Sequence, residues 1–179
     1  MTPFPLLDDL PRVELQALEL DGDVYRLGDS YVPIGIPPAP ATRAAAALGN
    51  RSPRLISALG TAAWIWGAAR HPPRDEFLVD LGARWRPPFG DGSIVIESHV
   101  HPGDLVRWGR ISVTTPLRTA LDLARFREHF GDDDADSVRR LAHVGGFGLG
   151  TAVRTMNRGR NLAGKRVAAE RLRAALSPN

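Results

Sequence analysis

The chain has 179 residues, of which 43% are hydrophobic and 24% charged, values that suit one well-formed globular core. It has no cysteine, which excludes a disulfide framework and a thiolate metal site. No apolar run approaches the roughly 18 to 20 residues that span a bilayer, and the N-terminus carries prolines and acids where a signal peptide would be basic and apolar. We therefore expect a cytoplasmic protein with no membrane contact.

The net charge of +3 is unevenly distributed along the chain. The segment from residue 139 to 179 contains nine basic side chains and one acid, Glu170, and so carries +8, whereas the other 138 residues carry −5. Such a division predicts a basic surface on an acidic body, as in many proteins that bind anions. The nine basic residues are Arg139, Arg140, Arg154, Arg158, Arg160, Lys165, Arg166, Arg171 and Arg173.

The first 35 residues predict a short helix followed by a hairpin. Pro11 suits the first turn of the helix, and Asp21-Gly22-Asp23 ends it. Two short β-type runs then flank Gly28-Asp29, a two-residue hairpin turn signal. A helix followed by a hairpin is the second half of a winged helix, so residues 1–35 are interpreted as a partial, truncated winged helix. The proline-rich stretch 36–40 is predicted to be a connector.

The remainder, residues 41–179, predicts an α+β domain with a small mixed sheet of about three strands packed by helices and a helical C-terminal region. Thr114 or Thr115 is expected to cap a helix with Pro116 in its first turn. The predicted strands cover 76–81, 93–100 and 110–114, and the predicted helices cover 42–48, about 52–69, 116–130, 135–144 and 163–176.

Two motifs invite a reading as catalytic or ligand-binding sites. His99 and His101 have the spacing of metal ligands on a strand, but no third ligand accompanies them, so they are interpreted as solvated strand-end histidines. The run Gly146-Phe147-Gly148-Leu149-Gly150 lacks the spacing and the preceding strand of a dinucleotide-binding loop, and is interpreted as a bend between helices.

Hydrolytic chemistry finds no support in the residues. Arg118 and Asp122 lie four apart on one helix and could pair, and Thr119 and Asp122 are interpreted as polar groups that lock this helix to the sheet. The only lysine, Lys165, has no acid two residues before it, so the acid-x-Lys pair of restriction-like nucleases is absent, as is a serine-hydrolase elbow. We predict a non-enzymatic protein with no catalytic residues, metal or cofactor.

The basic C-terminal arm, residues 139–179, is the remaining candidate site. Its last helix has an apolar stripe, and Lys165, Arg166, Arg173 and Arg171 project from the other faces. Long cationic side chains of this kind contact phosphates without reading sequence. The alternative is a solvated face, or arginines that pair with acids of the body, namely Asp132, Asp133, Asp134 and Asp136.

Three blocks of the sequence resemble the AbiEi-like antitoxin family of bacterial type IV toxin-antitoxin systems, in its actinobacterial form. They are ISALGTAAWIWG at 56–67, ISVTTPLRTALDLA at 111–124 and LAGKRVAAERL at 162–172. The segment VTTPLRTALDLAR is the most specific of them. The resemblance spans most of the chain.

This resemblance implies an N-terminal winged helix-turn-helix joined to an α/β C-terminal domain. Its members repress their own operon by binding promoter repeats, and they counter a toxin related to nucleotidyltransferases. Some relatives carry a Vsr-like endonuclease domain after the same block, but the 55 residues after Ala124 lack its carboxylate-lysine pattern.

We therefore predict an antitoxin or transcriptional regulator that binds promoter DNA. Two alternatives stay open: an interaction module whose arginine-rich arm docks on an acidic partner, or a remnant of the family that has lost DNA binding. The predicted DNA contacts are Arg154, Arg158, Arg160, Lys165, Arg166, Arg171, Arg173 and, on the hairpin, Arg26.

Overall fold

A computed structural model describes residues 6–7, 9–83, 92–158 and 164–177. Its centre is a five-stranded mixed sheet in the order β5-β4-β3-β7-β6. Strands β3 and β7 are parallel, as are β4 and β5, whereas β3 pairs antiparallel with β4 and β6 with β7. The strands are β3 (Ile56–Ser57), β4 (Glu76–Asp80), β5 (Ile94–Ser98), β6 (Leu105–Trp108) and β7 (Ile111–Thr114).

This sheet confirms the predicted α+β class but has two strands more than the three predicted. The sequence placed Ile56 and Ser57 inside a helix, whereas they form the central strand and pair with both β4 and β7. A short apolar run fits a buried strand as well as a buried helix, and only the neighbouring strands decide between them. Strand β6, which the sequence did not predict, forms a hairpin with β7 across the tight turn at Gly109, whose φ is +60°.

Helices cover both faces of the sheet, and the alternating side chains of the strands serve two separate clusters. Phe77 and Val79 of β4 point to the cluster that contains α2, whereas Leu78 points to the cluster that contains α4 to α7. The helices are α2 (Pro40–Leu48), α3 (Leu59–Ile65), α4 (Pro116–Phe126), α5 (Asp132–Gly145), α6 (Leu149–Arg158) and α7 (Lys165–Leu176), and short 3-10 turns occur at Leu81–Ala83 and Pro102–Asp104.

The predicted N-terminal helix and hairpin are present. They comprise α1 (Arg12–Asp21), β1 (Val24–Leu27) and β2 (Ser30–Pro33), with Gly22 in the left-handed conformation that ends α1. Gly28 at the hairpin turn has a φ of +63°, and a Cβ there would lie 3.3 Å from His71 Nε2, so the turn packs closely on the body. That this unit is a shortened winged helix stays a prediction.

The C-terminal helix α7 is part of the core. Its apolar stripe of Ala168, Leu172 and Ala175 is buried in the same cluster as α4, α5 and α6. The sequence left open whether the basic arm stands free, and packing of this stripe fixes α7 on the body. No helix among the described residues is long and apolar enough to cross a membrane.

Candidate nucleic-acid interface

Helix α6 presents two of the predicted contacts on one face. Arg154 and Arg158 lie one turn apart and are both exposed, while Ala152 and Met156 on the opposite side are buried. Arg154 makes one side-chain hydrogen bond, from Nη2 to Thr151 Oγ1 over 3.2 Å. Neither arginine forms an ion pair with any described residue, so both cations face solvent.

Helix α7 presents a mixed face. Arg166 and Arg173 are exposed two turns apart, and Glu170 lies between them on the same side. Lys165 is half-buried at the first position of the helix. The exposed strip of α7 therefore carries less positive charge than its composition indicates.

Arg171 is predicted to contact DNA, but its guanidinium is bound within the protein. Nη1 donates to the backbone oxygens of Ala124 and Arg127 over 3.0 and 2.7 Å, and Nη2 donates to Glu128 O over 3.3 Å. These carbonyls lie at and just beyond the C-terminal end of α4, where backbone oxygens lack helical partners and attract cations. Arg171 therefore joins α7 to the end of α4.

The remaining predicted contacts lie apart from these helices or outside the described residues. Arg26 is on the hairpin, where its Nη2 lies 3.3 Å from Asp29 Oδ1. The side chains of Arg26 and Asp29 are 51% and 79% exposed. Arg160 falls outside the described residues. The exposed cations of the arm thus lie on α6 and α7, two helices that pack on each other, and Arg26 lies on the separate N-terminal hairpin.

The two arginines at the start of the arm lie on α5. Arg139 donates from Nε to Ala175 O over 3.0 Å at the end of α7, and it pairs with Asp136. Arg140 is exposed and lines a groove of about 500 Å³ whose apolar floor includes Ala63 and Leu123. Acids occupy the first turn of this helix and cations the later turns, which suits the helix dipole.

A buried ion-pair cluster fixes α4 to the sheet edge. Arg118 Nε donates to Asp122 Oδ2 over 2.8 Å, which confirms the pairing that their spacing predicted. Its Nη1 donates to Asp104 Oδ2 over 2.6 Å, and its Nη2 donates to Ser98 Oγ over 3.0 Å. One guanidinium therefore connects α4, the end of β5 and the turn before β6.

Threonines complete this attachment. Thr115 caps α4 by accepting a hydrogen bond from Arg118 N over 3.2 Å, and Pro116 occupies the first turn as predicted. The hydroxyls of Thr114 and Thr119 are 2.7 Å apart and fully buried. The interpretation of Thr119 as a group that locks α4 to the sheet is confirmed, whereas Asp122 pairs only with arginines of α4 and acts on the sheet through Arg118.

The electrostatics of this cluster follow from its burial. Desolvation raises the pKa of Asp122 from 3.8 to about 6, although Arg118 and Arg125 oppose the shift. Burial lowers the pKa of Arg118, but Asp122 and Asp104 outweigh it, so the net shift is upward. Asp122 Oδ1 has no hydrogen-bond partner and lies 3.7 Å from Arg125 Nη1. The cluster is a structural one, closed to solvent at Asp122.

A second network joins β4 to the helices. The buried carboxylate of Glu76 accepts hydrogen bonds from Nη1 and Nη2 of Arg127 over 2.5 and 3.1 Å. It also accepts one from Gly60 N over 2.5 Å. Arg127 Nε reaches Asp134 Oδ1 over 3.2 Å. Arg127 has an extended backbone and follows the last residue of α4, Phe126, so the helix ends before the predicted residue 130.

The two candidate motifs of the sequence have structural explanations. Strand β5 ends at Ser98, before the predicted residue 100, so the exposed His99 and His101 both lie beyond the strand. No cluster of three potential metal ligands occurs among the described residues. Gly146 ends α5 in the left-handed conformation and α6 begins at Leu149, which confirms the bend between helices.

Sequence reasoning missed the partners that Arg118 and Arg127 find outside their own helix. Asp104 lies in the turn before β6, and Ser98 and Glu76 lie on strands β5 and β4. Their contacts join positions 14 to 51 residues apart, so no local spacing signals them.

Comparison with known proteins supplies a family. The model of the AbiEi antitoxin C-terminal domain matches residues 55–146, just over half of the chain. The matched range begins immediately before β3, contains the whole sheet and ends at the bend after α5. No curated protein matches the chain. The family match places the chain in a toxin-antitoxin setting: it belongs to the AbiEi antitoxin family through its C-terminal domain.

Proposed function

We propose that this protein is an antitoxin-type regulator that binds promoter DNA through the exposed cations of α6 and α7, without catalysing a reaction. The observation that carries the proposal is the set of exposed arginines on these two helices, which have no ion-pair partner among the described residues. They are Arg154, Arg158, Arg166 and Arg173.

These side chains suit phosphates. Each guanidinium donates in a planar fork that matches two phosphate oxygens. Helices α6 and α7 pack on each other, which supports a shared contact with one stretch of DNA. Contacts of this type supply affinity and orientation but carry no sequence information. Recognition of a particular promoter then depends on DNA shape or on contacts outside these four residues.

The proposal predicts how steeply the affinity for DNA falls with salt, because the slope reports the number of phosphate contacts. Four arginine-phosphate contacts give a slope of log K against log salt of about −3 to −4 on duplex DNA. We suggest fluorescence anisotropy with the fragment upstream of the gene, from about 50 to 200 mM salt, the range in which counterion release is pronounced. The paired variants Arg154→Ala/Arg158→Ala and Arg166→Ala/Arg173→Ala should each reduce the slope by about 2.

A matched control is Arg12→Ala, which removes an exposed arginine from the acidic helix α1. It should leave the slope unchanged. Absence of binding at about 50 mM salt, where such contacts are strong, contradicts the DNA proposal. Equal loss of affinity in the Arg12→Ala variant would show only a general effect of charge.

A second candidate is an interaction module that docks an acidic partner protein, and the mixed charge of α7 favours it. The acidic Glu170 between Arg166 and Arg173 would repel the phosphates of DNA, whereas a protein surface that carries both positive and negative charges can pair with all three side chains. We suggest co-expression with the product of the adjacent reading frame, where that product is nucleotidyltransferase-like. Co-purification that Arg166→Ala/Arg173→Ala abolishes, together with no DNA binding, would favour this candidate.

A further inference from the structure

Helix α1 differs from the other helices in what it buries. Only Leu15 is buried, and with half-buried Leu18 it packs on the hairpin beside Val24 and Tyr31. The opposite side of α1 is apolar and open to solvent: Val13 is 77% exposed and Leu20 is 89% exposed. Large apolar side chains this exposed on one face mark an interaction surface when they are grouped.

The grouping follows a heptad. Leu10, Val13, Ala17 and Leu20 are separated by three, four and three residues, which is the a-d-a-d spacing of a helix that pairs with another helix. The last three lie on α1, and Leu10 immediately precedes its cap at Pro11. The small side chain of Ala17 lies midway along the seam and permits close approach of a second helix.

The positions that flank this seam are acidic. In the same heptad, Glu14 and Asp21 occupy e positions and Gln16 a g position, while Asp9 and Asp23 take the g positions just outside the helix. All are exposed. None of the four acids forms an ion pair with a described residue. Charged side chains at e and g positions determine which helix can pair, because they attract opposite charges and repel like charges on the partner helix.

The acidic residues beside the seam determine which kind of helix can bind there. A second copy of α1 would bring acids against acids at these flanking positions, and like charges disfavour that pairing. We propose that the exposed face of α1 docks a basic amphipathic helix of a partner protein, with its apolar residues on the seam and its Lys or Arg residues facing Glu14 and Asp21. This site is separate from the surface formed by α6 and α7.

The size of the site sets the expected strength. Helix α1 has 10 residues and is therefore about 15 Å long, so the contact buries less than the roughly 800 Å² per partner of a standard interface. Ile34, 58% exposed, adds apolar area near the end of α1, since its amide donates to Asp23 O over 2.8 Å. A weak and reversible complex is expected.

The test uses the full chain and a defined probe. The probe is a labelled helical peptide of about 21 residues, three heptads, with leucine at a and d and lysine at e and g. Two control peptides carry glutamate at e and g, or serine at a and d. Binding is followed by fluorescence anisotropy at low salt.

We expect the lysine-leucine peptide to bind and both control peptides to fail. Leu20→Ser should weaken binding roughly tenfold or more because it removes the most exposed apolar side chain of the seam. Glu14→Lys/Asp21→Lys should weaken it similarly while leaving the apolar seam intact. Circular dichroism verifies that each variant is folded, as expected for exposed positions.

The matched control is Val144→Ser, which removes an apolar side chain that is 50% exposed on α5. It should bind the peptide as the unaltered chain does. Equal binding of the glutamate peptide overturns the proposal, as does binding that neither the Leu20→Ser nor the charge-reversed variant weakens. Absence of binding overturns it too. Dimerisation in sedimentation that Leu20→Ser abolishes would assign the seam to a second copy and also overturn it.

Discussion

Arginine serves two different purposes in this protein: around α4 it joins structural elements, and at four exposed positions of α6 and α7 it projects into solvent. Arg118 and Arg127 are largely enclosed by carboxylates and backbone oxygens, whereas Arg154 and Arg166 project into solvent. An arginine whose guanidinium donors are all used inside the protein contributes to the attachment of elements, not to a surface field. The difference shows that a count of basic residues overstates the charge that a partner meets.

The C-terminal arm illustrates this directly. Arg171 donates to three backbone oxygens near the end of α4, and Arg139 binds the C-terminal end of α7 and Asp136. Both contribute to the +8 of the arm, yet each uses guanidinium donors inside the protein, although the Arg139 side chain stays 53% exposed. Four predictions test the division between internal and external arginines.

The largest effect is expected at Arg118. Arg118→Ala leaves Asp122 buried without its principal partner, so the free energy of unfolding should fall by about 3 to 5 kcal/mol. The penalty should be smaller at pH 5 than at pH 7.5, since loss of Arg118 raises the pKa of Asp122 further and lets it become neutral. Urea unfolding at both pH values measures this.

The control for that variant is Arg107→Ala, which removes an exposed arginine on β6. Its free energy of unfolding should change by less than about 0.5 kcal/mol. A loss below about 1 kcal/mol for Arg118→Ala, the range of a surface ion pair, would contradict the internal role assigned to this arginine.

The next effect is the pH dependence that Asp122 confers. Its folded pKa of about 6 lies above the value of 3.8 in the unfolded chain, so its contribution to stability is present below about pH 4 and is lost as the pH rises through about 6. The difference in unfolding free energy between the unaltered chain and Asp122→Asn should shift in that direction by a few kcal/mol at most. A difference that does not vary with pH would contradict the raised pKa.

Arg171→Ala should have a moderate effect. It removes hydrogen bonds from a charged donor to the end of α4, and about 1 to 2 kcal/mol of unfolding free energy should be lost. Because its donors are used internally, the salt slope of DNA binding should stay as it is. A decrease of the slope by about 1 would instead make Arg171 a phosphate contact.

The smallest effect on stability is expected for the exposed pair on α6. Arg154→Ala/Arg158→Ala should change the free energy of unfolding by less than about 0.5 kcal/mol, because neither side chain has an ion-pair partner among the described residues. Thermal unfolding measures this beside the anisotropy experiment. Strong destabilisation would place these arginines with the internal group.

Elements with their own local signals could be predicted from the sequence. The Thr115-Pro116 start of α4, the Gly28-Asp29 hairpin turn and the glycine bend before α6 all follow from backbone preferences of neighbouring residues. The pairing of Arg118 with Asp122 belongs here too, since one helical turn separates them.

Elements that depend on distant partners could not be predicted in this way. Ile56 and Ser57 form a strand because β4 and β7 lie on either side of them, although their own residues fit a helix equally well. Arg127, the residue after the end of α4, pairs with Glu76, which is 51 residues away in sequence.

The sequence by itself determined the α+β class, the division of charge between an acidic body and a basic arm, and the resemblance to AbiEi antitoxins that the family match bears out. Composition and short motifs carry these properties, and both can be recognised in the sequence without knowledge of the tertiary structure. Only the tertiary structure decided which arginines remain available to a partner. Donors such as those of Arg171 are used by carbonyls that folding brings within hydrogen-bond distance, and no pattern along the chain records that proximity.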